Sequence, residues 1–333
     1  MRGTGDRYIA PGCLLCREGA KLVLFVTGRC ERGCWYCPLS ADRKGVDRVW
    51  ANDREVSSDD DLLAEARAMS ALGTGVTGGD PLLVPERVAH CCRVLKEAFG
   101  PAHQVHLYTG QAPTADDLRP LVGLVDELRL HPPHADWGRI LETPYPGAVR
   151  AARSLGFAVG IEVPSLPGIE ALAALLPLVD FLNINELEWG DTCADGMRAR
   201  GLELADPAGN AVAGAEAWAR PLLGHEKVRF CSSAFKDAVQ LRRRMLRIAV
   251  NTARPFDEVS EDGTVVYGLI RPDGGVDEAV AALGLSGEEY AVVDGAVELA
   301  WDRLAAGRGA VSGAMAVVER YPNRGMIVEV TPL

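Results

Sequence analysis

From Lys21 to about residue 250, short apolar runs alternate with stretches of helical periodicity. Strands are predicted over 21–28, 74–78, 104–109, 127–131, 157–163, 181–187 and 228–232. Helices are predicted between them, near 59–72, 85–98, 115–124, 144–155, 169–178 and 214–223, with a last one at 236–249. Brief apolar runs separated by helices are the pattern of parallel βαβ units. Right-handed crossovers curl such a series into a full or partial (β/α) barrel, with its active site at the C-terminal strand ends. After residue 252 the rhythm changes. TVVYGLIR leads into helical stretches near 277–284 and 294–305, then into the runs MAVVERY and GMIVEVTPL, which the turn Tyr321-Pro322-Asn323-Arg324-Gly325 joins as a hairpin. The expected organisation is an N-terminal extension over 1–20, an α/β barrel domain over 21–250 and a small α+β domain over 251–333 that covers the open side of the barrel.

Composition narrows the class. The 333 residues are 48% hydrophobic with a net charge of −11, enough for one large core and an appendage. The chain has no run of eighteen apolar residues, and MRGTGDRYIA lacks the apolar core of a signal peptide, so a cytoplasmic protein with no membrane partner is expected. Negative charge argues against a broad nucleic-acid surface. Nine cysteines, an odd number with three in one loop, point to metal chemistry in a reducing compartment.

Those three are Cys30, Cys34 and Cys37 in CERGCWYC, directly after the apolar run KLVLFVTG. Three thiolates with no near fourth ligand can hold three irons of a [4Fe–4S] cluster and leave the fourth iron open. A structural zinc site prefers two close pairs, which this spacing fits poorly. Arg29, Glu31, Arg32 and Gly33 make the segment a polar turn and argue against a buried strand. One strand and one helix further on, GTGVTGGDPLL places Gly78-Gly79-Asp80-Pro81 between an apolar strand and a helix. Glycines there let backbone approach a ligand closely.

The C-x3-C-x2-C spacing with an aromatic residue before the last cysteine resembles the signature of the radical S-adenosylmethionine superfamily. Over the full chain the likeness is to archaeal-type proteins related to pyruvate formate-lyase activating enzyme. The resemblance implies a partial barrel of about six parallel strands, with S-adenosylmethionine bound at the open iron through its amino and carboxylate groups. It implies Tyr36 against the adenine, and the Gly78-Gly79-Asp80 turn, with Asp80 where the family more often carries Glu, at the amino group. It also implies Thr109, which ends the third strand in HLYTG, near the ribose or carboxylate. A low-potential electron donor such as ferredoxin or flavodoxin is the implied partner.

Other strand ends offer further candidates. LRLHPPH presents His131 and His134, and LNINELEW presents Asn183, Asn185, Glu186 and Glu188; His131, Asn185 and Glu186 are the cofactor or substrate contacts expected here. Glu162, alone among apolar neighbours, is either paired inside the barrel or bound to cofactor. Cys13 and Cys16 half-build a metal site that Cys231 would complete, giving a second iron–sulfur cluster or, with His225, a zinc site; buried or free thiols are the alternative. Enzymes that make the tricyclic wyosine base in tRNA offer a loose analogy. Cys91 and Cys92 fit a helix core, Cys193 has no partner in sequence, and Arg242, Arg243, Arg244 and Arg247 read as a solvated helix face.

The expected function is reductive cleavage of S-adenosylmethionine to start a radical reaction on a small metabolite or cofactor precursor. Modification of RNA or of a protein side chain, activation of a glycyl-radical enzyme, and a non-catalytic iron–sulfur or zinc protein are the alternatives.

Overall fold

The structure, a computed structural model, describes residues 9–323 and 325–333. Residues 1–8 of the expected N-terminal extension and Arg324 of the expected hairpin turn lie outside them. Two compact units divide the chain, one comprising residues up to 67 together with 71–240, the other 68–70 and 241–333.

The first unit opens with a short helix, α1 (Pro11–Arg17), started by a proline whose missing N–H costs nothing in a first helical turn. Its sheet comprises β1 (Lys21–Phe25), β2 (Val49–Ala51), β3 (Arg54–Val56), β4 (Gly73–Thr77), β5 (Gln104–Thr109), β6 (Glu127–Leu130), β7 (Ala158–Pro164), β8 (Phe181–Asn185) and β9 (Val228–Cys231). The order is β3-β2-β1-β4-β5-β6-β7-β8-β9, and β1 with β4 to β9 are parallel. All seven predicted parallel strands therefore form. The resemblance implied about six, and the sheet is open, its two edge strands unpaired with each other. The hairpin of β2 and β3 was not predicted: VWANDREV is short and half polar, and its turn rests on Asn52 at φ 49°, a left-handed conformation that asparagine tolerates.

Sequential parallel order means every crossover steps the same way, so right-handed connections lay the crossover helices on one face. That face is apolar: Leu22, Leu24, Val105, Leu107, Leu128, Leu130 and Ile161 are fully buried. The helix Pro85–Phe99 shows how the crossovers are built, with Pro85 in its first turn and Val88, Cys91, Cys92 and Leu95 facing inward. Alternation turns Lys21, His106, Glu127, Arg129, Glu162 and Asn183 to the opposite face, and α1 covers its N-terminal end. Gly12 of α1 sits so close that a Cβ would lie 2.4 Å from His106 Nδ1 and 2.7 Å from Arg129 Nη2.

The second unit is an antiparallel sheet of β10 (Glu258–Val259), β11 (Val265–Pro272), β12 (Tyr290–Val293), β13 (Ala296–Leu299), β14 (Gly313–Arg320) and β15 (Ile327–Pro332). The order is β12-β13-β11-β14-β15, with β10 on β11. Ile270, Val297, Leu299 and Leu304 centre its core. The two C-terminal runs do pair as a hairpin. The helix expected over 294–305 is instead β13 followed by a helix over Trp301–Ala306, because AVEL is buried on both faces as a central strand.

Candidate functional site

The cysteine loop leaves the C-terminal end of β1 and is fixed by backbone bonds at both ends. Gly28 N–H donates to Val46 O at 2.8 Å, and Gly45 N–H to Gly28 O at 2.8 Å. Cys30 is exposed and Cys34 and Cys37 are half-buried. Arg32 N–H points at Cys30 Sγ at 3.4 Å, and Cys37 N–H donates to Cys34 O at 3.2 Å. Burial pushes the Cys30 and Cys34 thiols above the ordinary cysteine range, and negative charge on the neighbouring cysteines pushes the same way.

The Gly78-Gly79-Asp80 turn is stitched to this loop. Gly79 N–H donates to Thr27 O at 2.7 Å and Asp80 N–H to Arg29 O at 2.8 Å. A Cβ on Gly79 would stand 2.2 Å from Arg29 O, so only glycine permits the approach. Two motifs nearly fifty residues apart in sequence are thus one backbone unit.

Asp80 and Thr109, both expected at the cofactor, bond each other. Thr109 Oγ1 donates to Asp80 Oδ1 at 2.8 Å, Gly110 N–H donates to Oδ2 at 3.0 Å, and Leu82 N–H to Oδ1 at 3.1 Å. Burial nonetheless holds the Asp80 carboxyl above its usual range. The shorter aspartate caps the turn after β4 and ties it to the end of β5. Arg32 Nη2 and Tyr145 Oη both donate to Gly110 O, the former at 2.7 Å, adding a bond from the cysteine loop to the same strand end.

His131 likewise has both ring nitrogens engaged, by Tyr36 Oη at 3.1 Å and by Glu162 O at 2.9 Å. It meets the aromatic residue of the cysteine motif. Thr192, which sequence reasoning missed, donates its hydroxyl to Cys37 O at 3.2 Å and also bonds Leu39 O. Arg200 stacks 4.2 Å above the Trp35 ring, so the segment after β8 clasps the cysteine loop from a second side. The only signal in sequence was the polar run after the sixth parallel strand.

The polar sheet face resolves the status of Glu162. Arg129 bonds Glu162 Oε2 at 2.6 Å and Glu127 Oε2 at 2.8 Å, while Tyr108, Asn183 and Asn185 donate to the Glu162 carboxylate at 3.0 to 3.1 Å. Burial pulls this carboxyl upward, but Arg129 and the two amides outweigh it and leave it below the ordinary range. Asn185 is thus a support for Glu162. Glu186, one residue on, turns to the other side and accepts Ser233 N–H at 2.8 Å, capping the segment after β9.

Cys13, Cys16 and Cys231 are not gathered. Cys13 Sγ accepts Asn183 Nδ2 at 3.2 Å and Arg129 Nη2 at 3.5 Å, packed with Ala10 and Phe181 at the N-terminal end of the sheet. Burial drives the Cys16 thiol up to about 11. Cys231 lies at the opposite end of β9 and accepts Gln240 Nε2 at 3.5 Å. α1 plugs the N-terminal end of the polar face, and Cys13 stands within electrostatic reach of both Cys16 and Cys231.

Among the described residues no three His, Cys, Asp or Glu side chains stand close enough to hold a single metal ion. A four-iron cube distributes its cysteines over separate irons, so it does not need single-ion spacing. The donor set of Cys30, Cys34 and Cys37 fits such a cube: three thiols on one accessible loop, with a backbone N–H already aimed at sulfur. The sulfur of Cys13, by contrast, is enclosed by a guanidinium and an amide.

A protein of Methanocaldococcus jannaschii, provisionally named a glycyl-radical enzyme activating enzyme, is 34% identical over 278 residues, 78% of this chain and 72% of its own length. The chain belongs to the radical S-adenosylmethionine family. Members of this family use a [4Fe–4S] cluster and S-adenosylmethionine, and those are the cofactors of this chain. Within this radical S-adenosylmethionine protein, residues 263–333 match a family described as a domain of unknown function, DUF8061. Two solved structures of TsrM, a radical S-adenosylmethionine methyltransferase from Kitasatospora setae, are fainter matches. One, with tryptophan and an S-adenosylmethionine analogue bound, has a TM-score of 0.40 and 16% identity, covering 60% of this chain and 42% of its own. The other, with cobalamin and a [4Fe–4S] cluster bound, has a TM-score of 0.43 and 12% identity, covering 73% and 64%.

Proposed function

We propose that Cys30, Cys34 and Cys37 hold the cluster of a radical-initiating enzyme whose substrate is a protein, in the manner of a glycyl-radical enzyme activase. The observation that carries the chemistry is the backbone seam between the cysteine loop and the Gly78-Gly79-Asp80 turn, which brings the ligand loop and a glycine-lined approach to one strand end. The protein substrate rests on the likeness to the M. jannaschii relative, which extends over most of both chains. It takes precedence over the small metabolite expected from the extra C-terminal residues.

When bound and reduced, the cluster supplies the electron that cleaves S-adenosylmethionine to methionine and a 5′-deoxyadenosyl radical, which abstracts hydrogen from the substrate. The chain's own residues bind and orient. Gly78 and Gly79 would offer their carbonyls to the cofactor's amino group, Asp80 and Thr109 fix that turn, and Tyr36 would border the adenine. Oxygen-sensitive chemistry of this kind, with nine free thiols, suits the cytoplasm and a low-potential donor such as ferredoxin or flavodoxin. No helix among the described residues is long and apolar enough to cross a membrane.

The test is anaerobic reconstitution followed by dithionite reduction and addition of S-adenosylmethionine. Formation of 5′-deoxyadenosine with about four irons per chain supports the enzyme. A radical signal that then appears on a candidate glycyl-radical protein, and not on the same protein with its glycine replaced, supports the activase. Zinc in place of iron, or no 5′-deoxyadenosine, refutes the assignment.

A further inference from the structure

The cysteine loop is held from across the sheet by a connection that no motif announces. His131 follows β6, its ring is half-buried, and its two nitrogens bridge Glu162 O of β7 and Tyr36 Oη beside Cys37. The direction of the bond to Glu162 is fixed. A carbonyl oxygen only accepts, so Nδ1 carries the proton and donates to Glu162 O at 2.9 Å. The neutral ring then presents a lone pair at Nε2 toward the Tyr36 hydroxyl 3.1 Å away, and that hydroxyl is also hydrogen-bonded to Cys34. The rings of Tyr36 and His131 lie 5.9 Å apart, so the pair is also in ring contact. Glu162, for its part, is anchored through its side chain by Arg129, Asn183 and Asn185. A chain of oriented bonds therefore runs from the buried ion pair of the sheet to the residue next to the last cysteine.

We infer that His131 is a positioning residue, a strut that fixes Tyr36 and through it the cluster-binding loop. This deepens the proposed function and rests on it. A strut that orders the loop before metal arrives slows loss of iron afterwards, because an ordered loop releases its thiolates from the irons less often. It also sets the plane of Tyr36, and with it the wall of the adenine site.

The experiment compares anaerobically reconstituted full-length variants for the rate of iron release to a chelator, with thermal stability of the iron-loaded proteins measured alongside. His131→Ala and Tyr36→Phe should each speed release about three- to tenfold, the loss of one hydrogen bond. The double variant should be no faster than the faster single, because both remove the same connection. His131→Gln places an acceptor where Nε2 was and should recover part of the wild-type rate, whereas His131→Asn keeps only the Nδ1 donor and should release iron as fast as His131→Ala. A merely structural histidine would not separate Gln from Asn in this way. Wild-type release in both His131→Ala and Tyr36→Phe, or effects that multiply in the double variant, would overturn the strut while leaving the cluster in place. Should His131→Ala not fold, Tyr36→Phe and the Gln and Asn pair decide the matter. If the wild-type chain takes up no iron, the proposed function fails first, and that result is visible before any variant is compared.

Discussion

Cys34 lies at the centre of the chemistry because it stands between the two outer thiols and beside Tyr36. Cys34→Ala should lose the cluster and form no 5′-deoxyadenosine, as judged by iron analysis and product chromatography; full activity in that variant would end the assignment. Glu162 decides a different property. Its carboxyl lies below the ordinary value of 4.5 in the folded chain, so the unfolded chain binds the proton more readily. The stability it contributes is present above about pH 4.5 and is lost as pH falls through the lower, folded value. Urea unfolding across that acid range should show the loss in the wild type and not in Glu162→Gln. That variant leaves Arg129 with one carboxylate and should cost about 3 kcal/mol at neutral pH. The ion pair was half legible in sequence, where a lone acid in an apolar strand signalled pairing or ligation. The choice between them depended on Arg129, on the adjacent strand but 33 residues away in sequence.

At the scale of elements, two glycines set how closely segments approach. Gly79→Ala puts a methyl against Arg29 O and must part the seam between the turn and the cysteine loop. It should destabilise the protein by about 1–3 kcal/mol and weaken S-adenosylmethionine binding more than tenfold, read by chemical denaturation and by titration of the cluster's EPR signal. Gly12→Ala, at the plug, should cost a similar about 1–3 kcal/mol and leave cofactor binding unchanged, since it presses on His106 and Arg129 at the far end of the sheet. Equal effects of both substitutions on cofactor binding would contradict this division. The seven strands were legible because consecutive apolar residues mark buried parallel strands. The β2–β3 hairpin and α1 were not, because each is too short to show a period.

For the molecule as a whole, metal content follows from where α1 sits. With Cys13 enclosed by Arg129 and Asn183, the chain should hold about four irons and not about eight. Replacing Cys13 and Cys16 together by alanine should leave the iron count unchanged and lower stability instead. A fall of about four irons would restore the second cluster. The C-terminal unit, matched as a family over 263–333, folds around its own core and has no counterpart motif that assigns it chemistry.

Sequence by itself determined the parallel strands in their order, the three thiols and the glycine turn, because local periodicity and ligand spacing are short-range properties. Only the tertiary structure decided what the polar side chains do. Asp80 meets Thr109 across 29 residues, His131 meets Tyr36 across 95, and Cys13 meets Asn183 across 170. A carboxylate, an imidazole or a thiol looks alike in sequence whether it binds a cofactor or another side chain. Burial removes water as a partner, so each such group takes whichever donor or acceptor the sheet register brings alongside it.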